Sequence, residues 1–224
     1  MQSFFRISLV ALVAACAEPP QEPPPPELDC PTEGRYLELA TGRVWTYRVA
    51  DGEVTESEKT QTVGELEDVG GDKAGVLAYR LTTEKASGST ISWQEDTGEA
   101  VLRHRELDMS GASFTDEIYE PHKTRIDESP AHRAVGASWT DTVTENVTDQ
   151  DQLTTTTTKT EAWVVEAVDE VVQVPAGDFC ALRVKRTSTV NGATGSVKTY
   201  WFARGVGKVR EAGDSQIEEL VSYR

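Results

Sequence analysis

GRVWTYRVADG (residues 42–52) is the stretch that decides the fold class. Along it Trp45, Tyr47 and Val49 alternate with polar or small residues. Because successive side chains of a β-strand point to opposite faces of the sheet, this two-residue period predicts a strand with one apolar face. The glycine before it and the Asp-Gly pair at its end are typical of turns.

The same period recurs farther along the chain. It appears in GVLAYRLTTE (75–84) and in FCALRVKRTSTV (179–190). The apolar side chains at alternate positions are Leu77, Tyr79 and Leu81 in the first run, and Cys180, Leu182 and Val184 in the second. LTTTTTKTEAWVVEAV (153–168) is rich in β-branched residues, which suit a partly exposed strand. The sequence therefore predicts an all-β domain, a single antiparallel, strongly curved sheet or half-barrel meander.

Two halves of the domain share an order of motifs. ATGRVWTYRV (40–49) matches AVGASWTDTV (134–143), and TISWQEDTGEAVLRHRE (90–106) matches KTYWFARGVGKVREA (198–212). These matches favour a duplication with halves at about 40–110 and 134–213, although a β-meander could also reuse the same turn chemistry by chance. Under duplication we expect four buried tryptophans on the inner face, as core or ligand-facing aromatics near Leu77, Tyr79, Leu182 and Val184: Trp45, Trp93, Trp139 and Trp201.

The second half resembles a known group of proteins. GASWTDTV (136–143), VPAGDFCALRV (174–184) and YWFARGVGKVRE (200–211) are similar to a pattern in uncharacterised all-β envelope proteins and lipoproteins of Gram-negative bacteria. Arg204 stands where such sequences usually carry proline. The resemblance implies an envelope location and an all-β fold, and it implies no particular chemistry.

The amino end predicts export. Arg6 precedes an apolar run at residues 7–15, which is long enough for a signal peptide and too short to span a bilayer. Val13-Ala14-Ala15-Cys16 resembles the bacterial lipobox. That resemblance implies a signal peptide at 1–15, lipidation of Cys16 with acyl chains such as palmitate, and, because Ala17 follows, the outer membrane. The alternative is an ordinary signal peptide in which Cys16 has no role.

A proline-rich linker separates this cysteine from the domain. Residues 17–29 hold six prolines and four acidic residues, a composition that cannot bury a core. In extended polyproline II form it would span roughly 40 Å. We assign 16–33 to the lipidated cysteine and linker, and 34–224 to the all-β domain.

Two cysteines remain after lipidation. Export places Cys30 and Cys180 in an oxidising compartment, where a disulfide is the natural expectation. The alternative is two separate thiols, with Cys180 a core residue.

Composition excludes several function classes. The formal net charge of the 224-residue chain is −16, which makes nucleic acid a poor partner and disfavours anionic lipid beyond the anchor. The three histidines form no His-x-x-x-His pair, and no Cys-x-x-Cys occurs. The sequence therefore predicts no metal or cofactor site.

Two hypotheses for function follow. The first is a membrane-anchored, non-enzymatic binding or scaffolding lipoprotein that faces the periplasm or the cell surface, with an apolar ligand, a lipid or an envelope protein as partner. The second is an envelope hydrolase centred on the polar stretch EPHKTRIDESPAHR (120–133). The residue types there could form a nucleophile–base pair: His122, Asp127, Glu128, Ser129 and His132.

Overall fold

The computed structural model describes residues 28–51 and 55–224. The predicted signal peptide and Cys16 lie outside the described residues, and so does most of the linker. The described part is all-β, with two short 3₁₀ turns at Gly71–Lys73 and Pro130–His132. Its twelve strands, in chain order, are β1 Val44–Asp51, β2 Thr55–Asp68, β3 Leu77–Lys85, β4 Gly88–Asp96, β5 Ala100–Ser110, β6 Ser113–Asp127, β7 Ser138–Asp149, β8 Thr154–Val174, β9 Gly177–Val190, β10 Ala193–Ala203, β11 Gly207–Ala212 and β12 Gln216–Tyr223.

The strands form a closed antiparallel barrel. Each strand pairs with its neighbours in the chain, and β1 also pairs with β12, with Trp45 opposite Tyr223 and Val49 opposite Glu218. The all-β prediction of an antiparallel, strongly curved meander is confirmed, and the curvature goes on to full closure. Closure gives every edge strand a hydrogen-bonding partner, which an open half-barrel would lack.

The two ends of the barrel differ. One end carries the β3–β4, β5–β6 and β9–β10 turns, at residues 86–87, 111–112 and 191–192; we call it the open end. Residues 28–43 cover the opposite end. We call this segment the plug, and we call the end that it covers the closed end.

The plug is fastened to the barrel by a buried carboxylate. Glu128, fully buried, accepts hydrogen bonds from the backbone N–H groups of Tyr36 (2.6 Å) and Leu37 (3.3 Å). It also accepts one from the Arg35 guanidinium (3.0 Å), which pairs with Asp96 as well. Unpaired backbone donors are costly to bury, so these contacts allow an irregular segment to lie inside the barrel mouth.

The Cys30–Cys180 disulfide is present, as predicted, and joins the plug to β9 with a Cα–Cα distance of 5.5 Å. It closes a loop of about 150 residues. On chain-entropy arguments such a bridge stabilises the fold by about 4–5 kcal/mol.

The main core lies inside the barrel toward the closed end. Trp45, 2 % exposed, donates its indole N–H to the Val206 carbonyl (2.6 Å). Gly207, with φ 108°, lies against that indole, where a Cβ atom would come within 3.0 Å of Trp45 Nε1. A row of stacked rings crosses the same core, with centroids 5.7–6.0 Å apart: Trp139, Trp163, Tyr200 and Phe202.

The four predicted tryptophans divide between the two faces. Trp45 belongs to the interior core, and Trp139 is partly buried and packs against that core, where its ring stacks on Trp163. Trp201 lies between Tyr200 and Phe202, which line the lumen, so its ring faces outward under the Arg210 guanidinium (5.1 Å). Trp93 is 9 % exposed and lies in a separate small cluster, with the Arg105 guanidinium 4.9 Å above its ring.

The expectation of one inner face for all four tryptophans is therefore wrong for Trp93 and Trp201. A guanidinium stacked on an indole covers an aromatic side chain without placing it in the core. Leu77, expected beside these tryptophans, is 57 % exposed, whereas Leu182 and Val184 lie in the core and Tyr79 packs against it.

The placement of each tryptophan pair is nonetheless symmetrical. One pair occupies β1 and β7 and the other β4 and β10, so both are six strands apart. Within each pair the two rings face the same side of the sheet. This is the arrangement that duplicated halves would produce, and the duplication stays a prediction.

Candidate functional site

The barrel encloses a cavity of about 680 Å³ that runs from the plug to the open end. Its inner end is apolar, lined by Leu37, Leu39, Trp45 and Leu81. At the open end it reaches exposed residues such as Asp51 and Ser87. The barrel is thus a cup whose bottom is closed by the plug.

The wall of the cup above this apolar floor is charged. Eight basic residues line it: Lys59, Lys85, Arg103, Lys123, Arg125, Arg186, Lys198 and Lys208. Five acidic residues line it as well: Asp51, Glu106, Asp108, Glu211 and Glu218. A chain with a net charge of −16 thus directs a surplus of basic side chains into its lumen.

One ion cluster joins β2, β10, β11 and β12. Lys208 Nζ lies 2.5 Å from Glu211 and 2.7 Å from Glu218. Lys198 contacts Glu211 (2.7 Å), and Lys59 contacts Glu218. Each carboxylate therefore has two ammonium partners, which offsets the cost of removing both charges from water.

The pKa values in this cluster follow from burial and these partners. Burial alone would raise the pKa of the Glu211 carboxyl, but Lys208 and Lys198 hold it well below its ordinary value. Burial would lower the pKa of Lys208, yet Glu211 and Glu218 raise it above the ordinary lysine value. Burial, aided by the positive charge of Lys208, lowers the pKa of Lys59 to about 8.

A second set of ion pairs lies on the opposite wall. Lys123 contacts Glu145 (2.9 Å), and Arg186 contacts Glu161 (3.1 Å). Arg186 also lies 5.8 Å from the Tyr200 ring centroid. Both carboxylates come from strands different from those of their cationic partners, so the pairs also connect neighbouring strands.

The residues of the hydrolase hypothesis are divided among three places. His122 lies on β6 beside His104, with ring centroids 6.0 Å apart. Glu128 holds the plug. Asp127, Ser129 and His132 do meet, but on one nitrogen: His132 Nδ1 is 2.8 Å from Asp127 Oδ2 and 3.4 Å from Ser129 Oγ.

This arrangement does not favour nucleophilic catalysis. A serine–histidine–aspartate relay needs the carboxylate on one ring nitrogen and the serine on the other. The His132 ring also stacks on Trp139, with centroids 4.3 Å apart, which gives it a packing role.

Two further findings concern the part of the chain that the structure describes. Within residues 28–51 and 55–224 no group of three or more His, Cys, Asp or Glu side chains is placed to hold a metal ion. No helix among those residues is long and apolar enough to cross a membrane.

The charged lumen was not predicted from the sequence. Its basic residues are scattered over strands far apart in the chain, and Lys59 and Glu218 meet only because β1 closes against β12. A sequence signal did exist: Arg186 follows Leu182 and Val184 at two-residue spacing, on the face that their period assigns to the interior.

Comparison with known proteins places the fold in a described class. No protein-family model matches the chain, and no curated protein matches it in sequence. Among solved structures, a protein from Bacteroides fragilis that is described as exported and as having a YmcC-like fold matches with a TM-score of 0.53 and 12 % sequence identity. The match covers 85 % of this chain and 99 % of that one. A protein from Parabacteroides distasonis that is described as a lipoprotein matches with a TM-score of 0.45 and 13 % sequence identity. That match covers 88 % of this chain and 100 % of the other. The first likeness shows that the barrel is similar to the YmcC-like fold.

Proposed function

We propose that this protein is a membrane-anchored lipoprotein of the bacterial envelope that binds a polar solute in the lumen of its barrel and catalyses no reaction on it. The observation that carries the proposal is the charge-lined cup of about 680 Å³ that reaches solvent at its open end. Its volume falls within the roughly 300–1,000 Å³ range of ligand pockets.

The anchor rests on the lipobox-like residues before Cys16, with the outer membrane as destination because Ala17 follows. The solved protein with the matching fold is itself assigned as exported, which supports an envelope location. The described chain starts at Leu28, and Cys30 is bonded at the closed end. A tether attached there would leave the open end facing away from the membrane.

The chemistry of the wall defines the kind of solute. An apolar ligand or lipid, which the sequence suggested, would displace water from the charged side chains of the wall without forming hydrogen bonds to them, which costs free energy. A polar solute replaces that water with hydrogen bonds of its own. We therefore propose a polar ligand, with the apolar floor around Leu37 and Leu39 in contact with its less polar part.

We propose that the protein catalyses no reaction because of the pKa values of carboxyl groups in the lumen. A general acid in a cleft requires a carboxyl group with a raised pKa. Of the five acidic residues that line the lumen, Glu211 and Glu218 have lowered pKa values because lysines contact them. These two carboxyl groups therefore stay ionised and are suited to pair with the lysines that contact them.

Obstruction of the cup tests the proposal. Ser57 lines the lumen on β2, while its neighbour Glu58 is exposed on the outer face of the same strand. We expect protein purified from its native envelope to release a small molecule, detected by mass spectrometry. Ser57→Trp should abolish this occupancy, and the matched control Glu58→Trp should retain it. Equal occupancy in both variants, or an empty wild-type protein, would contradict a binding role for the lumen.

A further inference from the structure

We infer that Arg125 is the anion-binding centre of the lumen and receives a carboxylate or phosphate group of the solute. The inference rests on the proposed binding function and narrows it to anionic ligands. Three observations carry it: the pairing of the other basic residues, the position of Arg125 in its strand, and the side chains around it.

Arg125 is the unpaired cation of the wall. The seven other basic lining residues each contact a carboxylate, in the pairs Lys59–Glu218, Lys85–Asp108, Arg103–Glu106, Lys123–Glu145, Arg186–Glu161, Lys198–Glu211 and Lys208–Glu211. Among the residues that the structure describes, Arg125 has no such pair and no side-chain hydrogen bond. Its charge is therefore available to a ligand.

The backbone around Arg125 turns this side chain into the lumen. In the β5–β6 ladder Leu102 pairs with Thr124, and Val101 pairs with Ile126, which leaves Arg125 as the extra residue of a β-bulge. A bulge places two successive residues of a strand opposite one partner and redirects a side chain. Ile126 can thus stay in the core while Arg125 lines the cavity.

The surroundings of Arg125 suit an anion. Tyr47 and Tyr200 line the same cavity. Burial raises the pKa of both phenols, while the positive charge of Arg125 acts on both in the opposite direction. Both rings therefore stay neutral at physiological pH, and no phenolate competes with a ligand for the guanidinium. The guanidinium presents a planar fork of donors that matches the paired oxygens of a carboxylate or phosphate.

Three probes built on one ring test this inference: glucuronate, which carries a carboxylate, glucose 6-phosphate, which carries a phosphate, and neutral glucose. Binding to the wild-type protein is measured by titration calorimetry. We expect one or both anionic probes to bind more tightly than glucose, and the preferred probe identifies which anion the site takes. Binding of glucose alone, or of none of the three, overturns the inference.

Variants at Arg125 complete the test. Arg125→Gln should weaken the preferred anion at least about tenfold, as expected for loss of a charge-assisted pair. Arg125→Lys keeps the charge without the fork and should give an intermediate loss. The control is Arg80→Gln, because Arg80 lies on the outer face of β3, beside the lumen residue Leu81.

The failures of the two proposals are distinguishable. Unchanged anion affinity in Arg125→Gln, with thermal unfolding like that of the wild type, overturns the role of Arg125. If Ser57→Trp empties a lumen that held a neutral solute, the binding function stands and the anion inference fails.

Discussion

Glu128→Gln tests how the plug is held and whether the closed end of the cup depends on it. The Glu128 carboxylate is fully buried and accepts from two backbone N–H groups and the Arg35 guanidinium. Glutamine keeps one carbonyl oxygen but turns an NH₂ donor toward groups that are themselves donors. The substitution therefore removes the charge and leaves at least one buried donor without an acceptor.

The magnitude follows from these contacts. Removal of one partner of a buried ion pair costs about 3–5 kcal/mol. For a domain of this size the same loss lowers the Tm by roughly 10 °C. We expect the free energy of unfolding, measured in urea with the disulfide intact, to fall by that amount.

Hydrogen exchange shows where the loss acts. The amides of Tyr36 and Leu37 bond to Glu128 and should exchange faster in the variant, whereas the Leu39 amide bonds to Asp96 (2.9 Å) and should change less. Glu99→Gln is the control, because Glu99 is exposed and its backbone carbonyl accepts the Glu128 N–H. The reasoning is refuted if Glu128→Gln lies within about 1 kcal/mol of the wild type and protection at Tyr36 and Leu37 is unchanged.

Three further predictions concern other parts of the chain. Cys16→Ser should leave an unprocessed, unlipidated precursor, and fractionation of that variant with the outer membrane like the wild type would contradict the anchor. Trp45→Ala should cost about 3–5 kcal/mol in urea unfolding, and the outward Trp201→Ala less than about 2 kcal/mol; equal costs would contradict the assignment of faces. The pKa of Lys59 is about 8 in the fold against 10.5 ordinarily, so between these values the unfolded chain binds more protons and stability should rise with pH. The free energy of unfolding, measured at pH 7.5 and 9.5, should show this rise in the wild type and a smaller rise in Lys59→Met. An identical rise in Lys59→Met would rule out Lys59 as its source.

The sequence predicted those features that depend on neighbouring residues. Alternation such as Trp45, Tyr47 and Val49 is local, and it identified the strands because every strand places successive side chains on opposite faces. Cys30 and Cys180 were paired because few cysteines leave few choices. The plug held by Glu128 was not predicted, since its backbone donors and their acceptor lie more than ninety residues apart.

Which face of each strand became the lumen, and what that lumen contains, was decided by the tertiary structure. Closure of β1 on β12 determines that Lys59 meets Glu218, and the bulge in β6 determines that Arg125 lines the cavity. A buried charge is tolerated only where a partner from another strand contacts it, and such partners exist only once the register of all twelve strands is set. The local pattern therefore defines an apolar and a polar face for each strand, while the long-range pairing decides where charge can be buried and where one cation is left without a partner.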